Sequence, residues 1–406
     1  MDKQRWLVLG AVFIARTSMG YQFQSIGSVG PLLIAQLAID FAVLGSMIGI
    51  YKLPGVILAI PSGMLGNRFG EKSMLVAGMA MMAIGGFVTA WSDTSHIMFA
   101  GRVISGTGAV LFNVLSAKMI ADWFADKELT LAFAIHVNSW PFGIALGLAT
   151  QATFAQAVSV NGMLSIAAIF CALGAILLAV GSKDHQHQND KAAPPTDRNG
   201  ISLHEVILVS LAAMVWLFFN ANLIIVVSFA PAYLTTIGYD VAAAGQLASI
   251  GTWLGILSIP VSGLIVQKWI SAKLFMPIMF VAGTAATFAI IWLDDPLLGF
   301  IAFGIFAWAP AGPIFALPVH VLKKANRAIG MGIFLSYYYL GIGIFPSVAG
   351  YLRDLSGDPT APMIFAAWLM MGALFMLLLF WKFLNYLDTR EKLTEDQPTP
   401  LPSPAP

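Results

Sequence analysis

Charged side chains are scarce in this chain of 406 residues, of which only 10% are charged and 58% are hydrophobic. Soluble domains usually contain roughly 25% charged residues, so the composition excludes a soluble fold. The net charge is +1, without a cluster of Lys and Arg, which excludes a nucleic-acid-binding surface. The single cysteine, Cys171, lies in an apolar segment and forms no intrachain disulfide.

Catalytic and nucleotide-binding motifs are also missing. The chain contains no His-Glu-x-x-His, Gly-x-Ser-x-Gly or P-loop motif. His185 and His187 lie in a polar stretch without further metal ligands. We therefore expect a protein that is not an enzyme, has no cofactor or metal site and is not driven directly by ATP. The short loops leave no room for a signalling domain.

Long apolar runs are abundant, and a membrane-spanning helix needs about 20 such residues. The sequence predicts twelve spans, over residues 6–34, 41–65, 73–92, 96–120, 128–151, 158–181, 204–236, 241–267, 272–293, 296–321, 327–351 and 360–387. The predicted fold is thus an all-α membrane protein with two pseudo-repeated six-helix bundles. The N-terminal bundle covers 1–181 and a linker covers 182–203. The C-terminal bundle covers 204–388, and a disordered Pro-rich tail covers 389–406.

The distribution of basic residues predicts the orientation of the chain. With the N-terminus inside, sixteen Lys and Arg residues fall in cytoplasmic segments and only Arg353 falls in an outer loop. Short cytoplasmic loops retain positive charge, so both termini and the linker are predicted to be cytoplasmic. The protein is expected in the cytoplasmic (inner) membrane as a multi-pass monomer.

Two sequence patterns indicate duplication and close packing. AIPSGMLGNR at 59–68 and SIPVSGLIVQK at 258–268 share Pro, Gly and a terminal base, which fits an internal repeat of 200 residues. Gly45 and Gly49, Gly143 and Gly147, and Gly251 and Gly255 form Gly-x-x-x-Gly pairs, which permit close contact between membrane helices.

The loop GMLGNRFGEK at 63–72 resembles the Gly-x-x-x-Asp-Arg-x-Gly-Arg-Lys signature of major facilitator transporters. Gly63, Arg68, Gly70 and Lys72 match it, and Asn67 replaces the usual Asp. In that family the loop helps to latch the two halves together on the cytoplasmic side. The resemblance therefore implies the major facilitator fold, with a weaker latch formed through an amide hydrogen bond.

Two further segments extend the resemblance. GRVISGTG at 101–108 is similar to the fourth-helix pattern of the family, through Arg102, Gly106 and Gly108. NSWPFGIALG at 138–147 only partly resembles the fifth-helix Gly-Pro motif of drug antiporters, because Trp140 precedes the proline. LPGVILAIPSG and NSWPFGIALG look similar to bacterial cyanate and nitrate-type anion porters. Nitrate is disfavoured, because the asparagine-rich signature and a second base opposite Lys52 are lacking.

Four basic residues fall inside the predicted spans: Arg16, Lys52, Arg102 and Lys118. Charges at membrane depth are expensive and usually face a cavity or a partner. No Asp or Glu is predicted at comparable depth, which favours an anionic solute. Structural pairing with carbonyl groups is the alternative for Arg16 and Lys52, and a structural or coupling role is the alternative for Arg102. Lys118 is expected to extend to the cytoplasmic interface.

Polar and aromatic residues complete the predicted pathway. Asn113 lies within about 20° of Arg102 on one helix. His136 could relay protons, and the alternative is a hydrogen-bonded structural histidine. Successive tyrosines at 337–339 point in different directions, so only one or two can face the pathway. The predicted substrate-binding residues are Arg16, Lys52, Arg102, Asn113, His136, Asn138, Asn220, Asn222, Trp253 and Tyr337, and Pro310, Pro313 and Pro318 predict a bent tenth span.

The sequence therefore predicts a secondary active transporter that moves a small, organic anion by alternating access, either with protons or in exchange for another anion. The alternative is efflux of a neutral or hydrophobic compound. Buried bases distinguish the two, since pumps for cationic drugs favour buried carboxylates.

Overall fold

The computed structural model describes residues 2–125, 128–181, 201–323 and 326–395. Within these ranges the regular secondary structure is helical throughout. Most of the predicted linker, up to residue 200, and residues 396–406 of the predicted tail lie outside the described residues.

The N-half, defined as the described residues up to Gly181, forms six antiparallel passes. Its helices are α1 (Asp2–Ser28), α2 (Gly30–Leu37), α3 (Phe41–Ile50), α4 (Pro54–Phe69), α5 (Glu71–Ala90), α6 (Ser95–Trp123), α7 (Leu129–Val158) and α8 (Val160–Gly181). The second pass is interrupted at residues 51–53, between α3 and α4. The reason is local: Pro54 has no N–H with which to continue the α-helical ladder from Ile50. Sequence analysis had predicted one continuous span there.

The C-half, defined as residues 201–395, follows the same plan. Its helices are α9 (Leu203–Thr236), α10 (Val241–Lys268), α11 (Ala272–Trp292), α12 (Pro296–Ala302), α13 (Ala311–Val321), α14 (Arg327–Ser356) and α15 (Ala361–Glu395). Ser202 and Glu205 form a capping box at the start of α9. The boundary predicted at 388 is wrong, because α15 continues to Glu395 and residues 389–395 are helical.

The tenth pass is bent where its prolines predicted a bend. α12 leads into a π-helical segment, Phe303–Ala307, and α13 starts directly after Pro310. Proline removes helical hydrogen bonds, so the chain cannot pass through this region as one straight helix.

Eleven of these passes, within the described residues, are long and apolar enough to cross a membrane. They begin with α3 and α4 together, Phe41–Phe69, and end with Ala361–Leu387. α1 is not among them. It contains Arg16 with several amide and hydroxyl side chains, and these polar groups are largely buried inside the bundle, with Gln24 only 1% exposed.

The bundle has two faces where helices are joined. The linker face contains the turns near Gly70, Phe124, Ser271 and Lys323 and the chain ends at Gly181 and Ile201. The Asp40 face contains the turns near Asp40, Ser92, Ser159, Asp240, Asp295 and Gly357.

The predicted repeat of 200 residues is present in the second pass of each half. Asp40 and Asp240 each cap the helix that follows, through hydrogen bonds to the amides of Val43 and of Ala242 and Ala243 respectively. Ser62 and Ser262 are each 2% exposed and donate to a carbonyl of their own helix. The two halves thus repeat the same local structure at matching positions.

The halves meet closely in the part of the bundle near the Asp40 face. A Cβ at Gly45 would overlap the carbonyl group of Pro346, and one at Gly350 would overlap that of Phe41. The same relation holds between Gly245 and the carbonyl of Leu148. These glycines therefore allow α3 to pack on α14 and α10 to pack on α7 backbone to backbone.

Glycines nearer the linker face do not make such contacts. Gly332 on α14 has only Ile60 Cδ1 near its missing Cβ, at 3.8 Å, and Gly63 and Gly263 have nothing within 4 Å. The backbone-to-backbone contacts between the halves that these glycines show therefore lie near the Asp40 face, and the glycines nearer the linker face show none.

Candidate functional site

Lys52 lies at the interruption between α3 and α4, near the middle of the pass. Its side chain is 6% exposed. Its Nζ lies 3.8 Å from the centroid of the Trp140 ring and 5.4 Å from that of Phe23. Among the described residues, Nζ makes no hydrogen bond and no ion pair. Cation–π attraction holds the ammonium group without a hydrogen-bond acceptor, so an N–H group that does not face the rings remains available to a bound group.

Arg16 on α1 has fixed partners in two other helices of the N-half. Its Nη1 donates to the His136 carbonyl at 2.6 Å and its Nη2 to Asn113 Oδ1 at 3.0 Å. Its Nε has no partner in the described structure. Arg16 and Arg102 both lie within electrostatic range of Lys52, so three cations share one region.

Arg102 on α6 has a different environment. It is 1% exposed, and its Nε, Nη1 and Nη2 donate to the carbonyls of Met47, Gln22 and Phe23 at 3.0, 3.0 and 3.1 Å. The guanidinium group also lies 4.5 Å from the centroid of the Tyr51 ring. These contacts tie α6 to α1 and α3, which corresponds to the structural alternative stated for this residue.

A polar contact joins the two halves beside Arg16. Asn113 Nδ2 donates to the Tyr339 hydroxyl at 3.4 Å, while its Oδ1 accepts from Arg16. Asn113 and Arg102 therefore have separate partners, although they lie on a similar side of α6. Of the three successive tyrosines, Tyr338 and Tyr339 lie within electrostatic range of Arg16, whereas Tyr337 was the one singled out from the sequence.

The residues predicted on α7 surround the same region. His136 is 2% exposed, its carbonyl accepts from Arg16, and its Nδ1 has no partner in the described structure. Asn138 Oδ1 is buried without a partner. The Trp253 ring of α10 contacts Phe142 of α7 edge-on at 5.0 Å across the two halves.

The asparagines predicted in the C-half bind within that half. Asn220 Nδ2 donates to the Trp216 carbonyl of its own helix at 2.8 Å. Asn222 is fully buried and donates to the Ala366 carbonyl at 2.8 Å. Asn222 thus joins α9 to α15.

The predicted latch makes its resolved contacts inside the N-half. Lys118 Nζ donates to Asn67 Oδ1 at 2.7 Å and pairs with Glu71 at the same distance. Arg68 is exposed and lies over the Phe69 ring at 5.3 Å. Gly70 has a φ of 87°, which explains the glycine there. The amide hydrogen bond expected of Asn67 is present, but it links α4 to α6 and not the two halves.

Sequence reasoning missed three features. Asp354 accepts hydrogen bonds from the amides of Phe41 and Ala42 at 3.1 and 2.7 Å, and so caps α3 from the opposite half. Glu205 is 6% exposed and accepts from the Lys323 amide and from Asn326. Trp216 is the centre of an aromatic group. The capping box around Glu205 could have been predicted from the sequence. The contacts of Asp354 and Trp216 could not, because they join distant helices.

None of the described Asp and Glu residues lies in the central part of a long helix. The three cations are thus balanced by carbonyls, an amide and aromatic rings, without a nearby carboxylate. Such a site can hold an anion, because added negative charge lowers the repulsion among the cations.

Comparison with known proteins identifies the family. The profile described as "Major Facilitator Superfamily" matches residues 12–346, most of the chain. The chain belongs to the Major Facilitator Superfamily. It is a multi-pass membrane protein with the family and fold of transporters, which are not enzymes.

The chain shares modest sequence identity with the following members and solved structures. It is 22% identical to the uncharacterized transporter YycB of Bacillus subtilis over 386 residues, covering 91% of this chain and 92% of that protein. It is 28% identical to the inner membrane transport protein YajR of Escherichia coli over 136 residues, which cover 34% of this chain and only 30% of YajR. The inward open xylose transporter XylE of E. coli shares the fold, with a TM-score of 0.77, 15% identity and coverage of 93% and 96%.

Proposed function

We propose that this protein is a secondary active transporter that moves a small organic anion across the cytoplasmic membrane, as a proton symporter or an anion exchanger. The observation that carries the proposal is Lys52. It is a buried ammonium group held by aromatic rings, with no hydrogen bond and no acid beside it in the described structure. Arg16 adds a second cation whose Nε is unpaired. An anion supplies the missing counter-charge.

The proposed pathway lies between the halves. Lys52 and Arg16 bind the anion from the N-half, with Asn113, His136 and Asn138 around them, and Tyr338 and Tyr339 face it from the C-half. Arg102 is left out, because three carbonyls occupy its donors. Asn220 and Asn222 are left out because their amides bind inside the C-half.

The proposed topology has twelve membrane helices, with α1 and α2 forming the first. α1 is polar because it borders the site. The linker face, where the basic residues concentrate, is assigned to the cytoplasm, together with both termini. The contacts at the Asp40 face then make this a state open towards the cytoplasm, and alternating access requires those contacts to break.

Uptake into proteoliposomes tests the proposal. A panel of radiolabelled small anions is expected to include at least one with saturable uptake. Lys52→Met and Arg16→Gln are each expected to lower that uptake by at least about tenfold, or ~1.4 kcal/mol. Lys273→Met, at an exposed lysine on the linker face, is the control that retains it.

Two outcomes contradict the proposal. Unchanged anion uptake in both variants overturns the cationic site, and saturable transport of neutral compounds alone favours the efflux alternative. The internal pH, followed during uptake, then distinguishes proton symport from exchange, because only symport acidifies the vesicle.

A further inference from the structure

The C-half presents a group of stacked aromatic rings towards the proposed site. Trp216 on α9 stacks on Phe219, Phe334 and Tyr338, with centroid distances of 5.5, 5.9 and 6.2 Å. Phe315 on α13 contacts Trp216 edge-on at 5.5 Å. We call these five residues the aromatic cluster.

The aromatic cluster reaches the cationic residues through Tyr338. This ring contacts Tyr339 at 5.2 Å, and the Tyr339 hydroxyl accepts from Asn113, the partner of Arg16. Tyr338 itself lies within electrostatic range of Arg16. Tyr338 therefore connects the aromatic cluster to the charged part of the proposed site.

Other parts of the protein cover the aromatic cluster only partly. Phe219 and Phe334 are 1% and 0% exposed, as expected of core residues, whereas Phe315 is 44% exposed. Trp216 and Tyr338 are half-buried. Trp216 Nε1 is buried and has no hydrogen-bond partner in the described structure. Buried Trp N–H groups usually find a partner, so this donor is available to a bound molecule.

We propose that the transported anion has a planar, unsaturated body. This inference rests on the proposed function. Arg16 and Lys52 bind the carboxylate, and the flat body lies against Trp216 and Tyr338, since offset or edge-on contacts between π systems are favourable beyond area burial. Trp216 Nε1 donates to an acceptor substituent when the body carries one. An aromatic carboxylate has the negative charge and the flat body, and it can carry the acceptor substituent.

Competition binding to the purified full-length protein tests this inference. The probes are benzoate, cyclohexanecarboxylate, acetate and benzamide, which separate planarity, size and charge. Benzoate is expected to bind about threefold to tenfold more tightly than cyclohexanecarboxylate, and benzamide is expected to bind weakly. Trp216→Leu removes the preference for benzoate and leaves acetate binding unchanged. Trp216→Phe retains most of the preference, and Trp368→Leu, at a ring that is 65% exposed on α15, is the matched control.

The outcomes separate this inference from the proposed function. If benzoate and cyclohexanecarboxylate bind with equal affinity, and Lys52→Met loses binding of both, the proposal of a planar body is overturned. The proposed anion site is then still supported. A Trp216→Leu variant that weakens all four probes by one factor also overturns it, because Trp216 then acts through packing. Binding of benzamide as tight as that of benzoate, or no binding of any anion, overturns both.

Discussion

The second pass of each half shows what the duplication kept and what it changed. Residues 40–69 and 240–268 share a capping Asp, a glycine packed on the opposite half and a buried serine, each repeated after 200 residues. At the centre they differ: Lys52 corresponds to Thr252, and the interrupted α3 and α4 correspond to the continuous α10. The framework that brings the halves together is repeated, while the charged site occurs in one copy.

Contacts from other helices stabilise the interrupted pass formed by α3 and α4, whereas the continuous α10 does not need them. Arg102 binds the Met47 carbonyl in α3, and residue 302, its counterpart in the repeat, is alanine. Asp354 caps α3 from the opposite half in addition to its own Asp40, whereas the cap shown for α10 is its own Asp240. The following changes test this contrast, from the largest expected effect to the smallest.

Arg102→Gln is expected to destabilise the N-half most. Loss of the guanidinium removes three buried hydrogen bonds to backbone carbonyls, at a total cost of about 3 kcal/mol. The measurement is the thermal unfolding temperature of the detergent-solubilised protein, with Arg16→Gln as the matched variant. Arg16→Gln should lower transport more than stability. Equal unfolding temperatures for Arg102→Gln and the unmodified protein would show that Arg102 does not support the interruption.

Gly45→Ala and Gly245→Ala are expected to shift the protein away from the state closed at the Asp40 face. Each new Cβ overlaps a backbone carbonyl of the opposite half, and such overpacking costs about 1–3 kcal/mol. Spin labels at positions 36 and 356 report the distance between the halves at this face, which should increase. Gly263→Ala, with nothing within 4 Å of its Cβ, is the control. Opening by only one of the two variants would mean that the repeated contacts are not equivalent.

Asp354→Asn is expected to open the Asp40 face more weakly. Loss of a helix-capping carboxylate costs about 1 kcal/mol, which changes the ratio of the two states by about fivefold. The same pair of spin labels measures the shift. Asp358→Asn is the control, because Asp358 binds Thr360 within its own turn. An equal shift in both variants would assign the effect to lost surface charge.

Lys118→Met is expected to have the smallest effect. Lys118 is partly exposed and pairs with Glu71 and Asn67 at the end of α4, and such pairs contribute at most about 1 kcal/mol. Initial transport rates should fall by less than about fivefold. A complete loss of transport would place Lys118 in the pathway and remove the distinction drawn among the four basic residues.

The helices were predictable because their signal is local. Apolar runs of span length placed most helix ends in the described residues within a few residues, but the ends predicted at 151, 351 and 387 lie at Val158, Ser356 and Glu395. The prolines at 310, 313 and 318 marked the bend that separates α12 from α13. The interruption at residues 51–53 was missed, although Pro54 supplies its cause, because hydropathy does not register one missing hydrogen bond.

The site was predictable only in its residue types. Four basic residues were identified in the predicted spans, but their partners in the structure differ. Lys52 lies among aromatic rings, Arg102 is bound by carbonyls, and Lys118 pairs with an acid. Helical spacing placed Asn113 near Arg102, whereas its hydrogen bonds are to Arg16 and Tyr339.

The sequence by itself determined the membrane fold, the repeat and the presence of cations without matching acids, because these follow from composition and from spacing along single helices. The tertiary structure decided which cation is free to bind, which helices close the Asp40 face and where the aromatic cluster lies. Each of these depends on contacts between different helices, up to 313 residues apart in the chain, and only the packing of the helices brings these residues together.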